Sequence, residues 1–257
     1  MQFKQTMFRV TEIPAIANNS KHDSETGYKF IIREDTNEIL SCMTNDYKLI
    51  TNNQIMDIAL PILKEANAQL TEENAFSNGR KSIWTWKIPD IKVKIDKKDY
   101  VNPTITLKNS YDGSVQLHIL AGAFRLICSN GLVIGTAISN KTNRHSVYNL
   151  NLSKLDEFIK DTINSVKTIF SSEFPYLIET KISQKHIKNL IKMFPDFTMS
   201  SLTQYLIGKK PETFWDLLNA ATWVSTHTMK RNYESTHKLE TQIYPSITKW
   251  AKQAANS

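Results

Sequence analysis

Between Arg80 and Lys98 the chain reads RKSIWTWKIPDIKVKIDKK, seven lysines and arginines against two aspartates, a local balance of +5. The chemistry such a stretch offers is recognition of a polyanion. Arg80, Lys81, Lys87, Lys92, Lys94, Lys97 and Lys98 would meet phosphates while Trp84 or Trp86 stacks on bases, a combination that suits single-stranded nucleic acid. Ile91, Val93 and Ile95 alternate with Lys92, Lys94 and Asp96, so a strand here shows its lysines and buries its other face. Ser82, Trp84 and Trp86 share one face of the preceding strand. A plainer reading stands beside this one: a solvated sheet face with both tryptophans turned into the core, where tryptophan is usually found. Arg125, Arg144, Lys230 and Arg231 complete the candidate set as cations from other parts of the chain.

Reaction chemistry is harder to find. GxxxxGK[ST], GxGxxG, GxSxG, HExxH and CxxC are all absent. His118, His145, His227 and Cys128 would have to converge from distant positions to hold a metal, and nothing in their spacing recommends it. Asp96, Asp99 and Asp112 cluster too weakly for a two-metal nuclease. The run Cys128-Ser129-Asn130-Gly131 reads first as a turn beside a core cysteine, with Arg125 paired to a carboxylate. The expectation is a non-enzymatic protein with no cofactor and no metal.

The whole chain agrees in sign. Over 257 residues, 32 Lys+Arg against 25 Asp+Glu give +7, which suits a polyanionic partner. No apolar run approaches the ~18 residues of a membrane span. MQFKQTMFRV lacks an apolar signal core, so a cytoplasmic protein without a membrane contact is expected. Cys42 and Cys128 lie in apolar, strand-like surroundings and are expected as two buried free thiols.

The elements that must position these residues centre on Asn109 to Gly135. Val115, Leu117 and Ile119 alternate with Gln116 and His118, and Asp112-Gly113 and Asn130-Gly131 favour hairpin turns, so antiparallel strands forming a meander are predicted. Upstream, residues 1–27 read as an irregular arm. Tyr28–Arg33 and Glu38–Met43 read as strands joined at Asp35-Thr36-Asn37. Thr51 or Asn52 caps a helix with Ile55, Ile58, Ala59, Ile62 and Leu63 on one stripe, and Pro61 should kink or end its first part. Downstream, helices are predicted over 154–170, 184–193, 200–207 and from Phe214. On the last of these Phe214, Leu217, Ala221 and Val224 face inward, and Asn219, Thr222, Trp223, His227 and Lys230 face outward. The fold class is α+β: an antiparallel β-meander core over 28–150, with packed helices and a helical C-terminal half over 151–257.

These residues also carry a family resemblance. Tyr47-Lys48-Leu49-Ile50-Thr51-Asn52, Gly79-Arg80-Lys81-Ser82-Ile83-Trp84, Asn109-Ser110-Tyr111-Asp112-Gly113-Ser114, Phe124 through Leu132, Arg144-His145-Ser146 and Asn219-Ala220-Ala221-Thr222 with His227 occur in order. Together they resemble the phage/plasmid-like protein family, a domain of unknown function; the extra glycines often seen before Gly79 are lacking. The resemblance implies a mobile-element setting and no reaction. More remotely, the layout is similar to that of ring-forming single-strand annealing recombinases of phages, an analogy of architecture only. The partners expected are single-stranded DNA and further copies of the chain, a ring among the possible forms, with a host defence or replication protein as the alternative.

Overall fold

The structure is a computed structural model, and it describes residues 3, 5–19, 22–96, 99–115, 117–125, 131–133, 152–227 and 233–256. The fold is α+β. Three strands, β1 (Val10–Asn19), β2 (His22–Arg33) and β3 (Glu38–Thr44), form one antiparallel sheet in the order β1-β2-β3. Helix α1 (Asn52–Glu65) leads to a second sheet of β4 (Gln69–Phe76), β5 (Lys81–Lys87), β6 (Val93–Asp96), β7 (Asp99–Ser110), β8 (His118–Arg125) and β9 (Gly131–Val133). Its order is β4-β5-β7-β8-β9, with β6 a short ribbon on β7. The C-terminal half is helical: α2 (Leu155–Ser172), α3 (Phe174–Glu179), α4 (Gln184–Ile191), α5 (Asp196–Lys209), α6 (Phe214–His227) and α7 (Tyr233–Ala255).

The described residues fall into two compact units that interleave along the chain. One comprises residues up to Lys87, Ile105–Ile119 and 152–161; the other comprises Ile88–Thr104, the described part of 120–140 and the chain from Thr162 onward. Strands β7 and β8 each run in sequence from one unit into the other.

The first unit is organised around a buried asparagine. Thr51 caps α1 in a capping box: the Gln54 N–H donates to Thr51 Oγ1 (3.2 Å) and the Thr51 N–H to Gln54 Oε1 (2.9 Å). The next residue, Asn52, is only 1% exposed. Its Nδ2 donates to the Thr6 carbonyl (2.7 Å) and to Ser82 Oγ (3.0 Å), and its Oδ1 accepts from Asn109 Nδ2 (2.9 Å). Its backbone N–H donates to the Tyr111 hydroxyl (3.0 Å), and Asn109 Nδ2 also reaches the Ile50 carbonyl (3.2 Å). Trp84 Nε1 donates to Thr6 Oγ1 at 2.8 Å. Four separate segments therefore meet at one side chain. Burial pushes the Tyr111 hydroxyl up to about 12, so it stays protonated.

Beside this junction, Phe8, Ile31, Leu40, Tyr47 and Tyr111 form an apolar cluster flanked by Val10, Met43 and Leu49. The Arg33 guanidinium lies 4.0 Å from the centroid of the Phe8 ring. Gly79, at φ +97°, faces the same ring, where a Cβ would stand 2.6 Å from Phe8 Cζ, so no larger residue fits.

Several expectations hold. The strands meeting at Asp35-Thr36-Asn37 are β2 and β3, with Asn37 at φ +56°. Gly113 has φ +69° between β7 and β8, where Asp112 Oδ1 accepts from the Ser114 N–H (3.0 Å) and from its hydroxyl. Thr213 caps α6, receiving the Asp216 N–H at 3.2 Å.

Others are corrected. Residues 10–19 and 22–27 are not irregular: β1 and the start of β2 pair there, with a register shift after Pro14. Helix α1 runs through Pro61, which sits on its exposed side near the C-terminus. Gly131 pairs with Phe124 and so opens β9 instead of turning the chain, while Asn130 lies outside the described residues. Cys42 is a free thiol but an exposed one; Cys128 lies outside the described residues.

The polar face expected on helix α6 is only partly exposed: Thr222 and Ser225 are 2% and 0% exposed, Asn219 and Trp223 are half-buried, and His227 is exposed. The Thr222 and Ser225 hydroxyls bond back to the Leu218 and Thr222 carbonyls, and Asn219 Nδ2 to the Trp215 carbonyl, so burial leaves none of them wanting. Trp223 stacks on Tyr205 and His227, with centroids 4.8 and 5.0 Å away. The 23-residue α7 was not anticipated. It is fastened through Glu173, which accepts from the Tyr244 hydroxyl (2.9 Å) and from Lys252 Nζ (2.7 Å) on either side of Pro245.

Two measurements test this unit. Asn52→Ala leaves Ser82 Oγ and the Thr6 carbonyl without their donor, and urea unfolding should show a loss of about 2–3 kcal/mol. His118 is held below its ordinary value by burial and secondarily by Lys108. The unfolded chain therefore takes up the proton first, and the imidazole's contribution to stability, complete above about pH 6.5, is lost as pH falls. Urea midpoints measured down to about pH 5 should decline less steeply in His118→Gln than in the parent.

Candidate nucleic-acid interface

The basic segment is divided between the two units. Arg80, Lys81, Trp84, Trp86 and Lys87 belong to the first, Lys92 and Lys94 to the second. Lys97 and Lys98 fall in sequence between Asp96 and Asp99, which pair across the hairpin, and lie outside the described residues. So do Arg144, Lys230 and Arg231. Arg125 is described only as a backbone position in β8.

The role given to the tryptophans is corrected. Alternate residues of β5 are buried, and Trp84 and Trp86 are each 0% exposed. An indole enclosed on both faces has no surface on which a base can stack, so the plainer reading of these residues is the right one. Arg80 is half-buried. Its Nη2 reaches only to the Ile39 carbonyl at 3.4 Å, and its Nε is enclosed without a partner. Lys81 is half-buried opposite Phe76, and Lys87 already has a partner.

The lysines of the second unit are different. Ile88 N–H donates to the Pro103 carbonyl (2.9 Å), and Asn102 Nδ2 spans the turn that follows, reaching the Pro89 (3.2 Å) and Ile91 (2.8 Å) carbonyls. That amide fixes where β6 begins. Val93 then pairs with the fully buried Val101, and Lys94 with Tyr100. Directly opposed residues of an antiparallel pair share a face, so Lys92, Lys94 and Tyr100 stand on one side while Ile91, Val93 and Ile95 are half-buried. Lys92 Nζ sits 5.4 Å from the centroid of the Tyr100 ring, a cation–π contact. Lys92 and Lys94 are exposed, and among the described residues neither is in an ion pair. The aromatic that accompanies the lysines is thus Tyr100. The alternation of residues 91–96 placed the lysines, but finding Tyr100 needed the hairpin register.

No three His, Cys, Asp or Glu among the described residues stand where they could hold a metal ion. Of the residues weighed for a metal site, His118 and His227 belong to different units, and His145 and Cys128 are outside the described residues. No described helix is long and apolar enough to cross a membrane.

An α+β chain with one exposed basic hairpin is the class that fold and surface define. The chain belongs to the family described as a domain of unknown function, DUF932, which matches residues 39–243. No curated protein and no solved structure matches it.

If Asn102 sets the start of β6, Asn102→Ala should loosen the hairpin without unfolding the chain. Hydrogen exchange at the Val93 and Val101 amides should quicken while exchange in α6 is unchanged.

Proposed function

We propose that the chain binds single-stranded DNA through the face of the β6–β7 hairpin, without catalysing a reaction, and that it works as a homo-oligomer in recombination or replication of a mobile element. The observation that carries this reading is the exposed pair Lys92 and Lys94 on the face of Tyr100, neither ammonium neutralised by a described carboxylate. Two further lysines follow in sequence at Lys97 and Lys98. Phosphates attract Lys92 away from the ring it covers, and the freed phenol face becomes a surface for a base. Charge attraction and stacking are coupled through one side chain, which suits a flexible strand better than a duplex with its bases already stacked. The mobile-element setting rests on the ordered motifs of the sequence, not on the hairpin.

The test is fluorescence anisotropy with a labelled oligothymidylate of about 40 nucleotides across a salt series. Four lysines on phosphates correspond to a log–log slope of about −2.8. Lys92→Glu with Lys94→Glu should lower affinity at least about tenfold and flatten that slope. Tyr100→Ala should weaken binding by about 1–3 kcal/mol with the slope unchanged. Undetectable binding at low salt, or indifference to the double substitution, overturns the reading. A host protein retained by the parent, but not by the double variant, after nuclease treatment of a lysate would replace it with the inhibitor alternative.

A further inference from the structure

Helices α4 and α5 leave a cleft between them, built from one stripe of each. At 100° per residue Gln184, Ile187 and Ile191 fall together on α4, and Thr203, Leu206, Ile207 and Lys210 fall together on α5. With Pro211 and Glu212 these residues line a space of about 460 Å³, within the ~300–1,000 Å³ of ligand sites. Its floor is aliphatic. Leu206 is buried, Ile187 and Ile191 are half-buried, and Ile207, at 69%, is the most exposed large apolar side chain among the described residues. The core face of α4 is a different one, where Leu190 is fully buried and the His186 ring lies 4.7 Å from that of Phe214. A third stripe of α4 runs beside the cleft: Lys185, Lys188 and Lys192, at spacings of three and four, turned away from that core face. All three are exposed, as are Lys209 and Lys210 at the end of α5. From Thr180 to Pro195 the chain carries Lys181, Lys185, Lys188 and Lys192 and no Asp or Glu. Among the described residues none of these lysines is in an ion pair. Of the described residues lining the cleft, Glu212 alone is acidic, and Lys210 offsets it.

We propose that this cleft seats an acidic amphipathic helix of a partner protein, its apolar residues on Ile187, Ile191 and Ile207 and its carboxylates along Lys185, Lys188 and Lys192. The charge selects the occupant. Three ammonium groups strung along about 10 Å of helix call for repeated negative charge, where a single headgroup would answer only one of them. The aliphatic floor between two helices calls for apolar side chains at helical spacing, the usual form of a helix laid in a groove. Nucleic acid would meet the lysines as well, but no aromatic ring lines the cleft for a base to stack on. A second copy is a poor match, because the chain itself carries +7. The cleft lies within the second unit, and the inference is independent of nucleic-acid binding at the hairpin.

The probe is a labelled peptide of about 16 residues with leucines at i, i+3, i+4 and i+7 and glutamates between them. Fluorescence anisotropy with the full chain should give micromolar binding that weakens as salt rises from about 50 to 300 mM. A scrambled peptide of the same composition should bind at least about tenfold more weakly. Ile207→Asp sets a carboxylate on the exposed floor, and Lys188→Glu with Lys192→Glu reverses the stripe. Each should lower peptide affinity at least about tenfold while circular dichroism shows a folded chain. The Lys92→Glu, Lys94→Glu variant should keep the peptide, and the Lys188→Glu, Lys192→Glu variant should keep oligothymidylate, so this proposal and the proposed function fail separately. Undetectable peptide binding at about 200 µM protein overturns the proposal. Equal binding of the scrambled peptide, or indifference to either substitution, does the same. Oligothymidylate binding lost with Lys188 and Lys192 overturns it in favour of nucleic acid. A sedimentation coefficient that rises with concentration in the parent but not in Ile207→Asp overturns it in favour of a second copy.

Discussion

One carboxamide holds the first unit together. Asn52 reaches the carbonyl of Thr6, the hydroxyl of Ser82 and the amide of Asn109, and its backbone N–H donates to the Tyr111 hydroxyl. The partners come from three other stretches of chain, and each contact is enclosed, where an unmet polar group is costly. A purely apolar side chain here could fill the space but could not specify which strand edge meets which helix start. The pairing of β5 with its neighbours, and hence the burial of Trp84 and Trp86, follows from where this amide sits.

The same junction explains why the ordered motifs of the sequence look as they do. Thr51-Asn52, Gly79 to Ser82 and Asn109 to Tyr111 are far apart in the chain, yet they converge on it. Their residue types answer to packing: Gly79 because a Cβ would collide with Phe8, Asn109 because its amide bridges Asn52 and Ile50. Residues that look like a binding motif in one dimension are a structural knot in three. The nucleic-acid reading therefore rests on the hairpin alone, which lies outside those motifs.

Much of the architecture was legible because it is local. The cap at Thr51, the alternation of residues 91–96 and the turn at Gly113 each leave their mark within a few residues. What escaped is set by partners distant in sequence. The polar string from Asn18 to Asp23 reads as a loop, but its ends pair as a ribbon. The hydroxyls of α6 suggest a wet face, yet intrahelical bonds let Thr222 and Ser225 be buried. Pro245 and a polar composition hid α7, whose buried Ile243, Tyr244, Ile247 and Ala251 mark the stripe it packs inward. In the site, the lysines could be placed from pattern, whereas Tyr100 is a product of register. Trp84 and Trp86 could have gone either way until burial decided.

The attachment of α7 has a mechanical side. Proline withholds one backbone hydrogen bond and strains the turn before it, so a helix with Pro245 in its middle would ordinarily come apart there first, a turn at a time. Glu173 grips the helix ahead of that weak point through Tyr244 and behind it through Lys252. Tension applied at the carboxyl end would therefore be met by the distal grip before it arrived at the gap, and the two segments would tend to release in a single event instead of fraying from the tip.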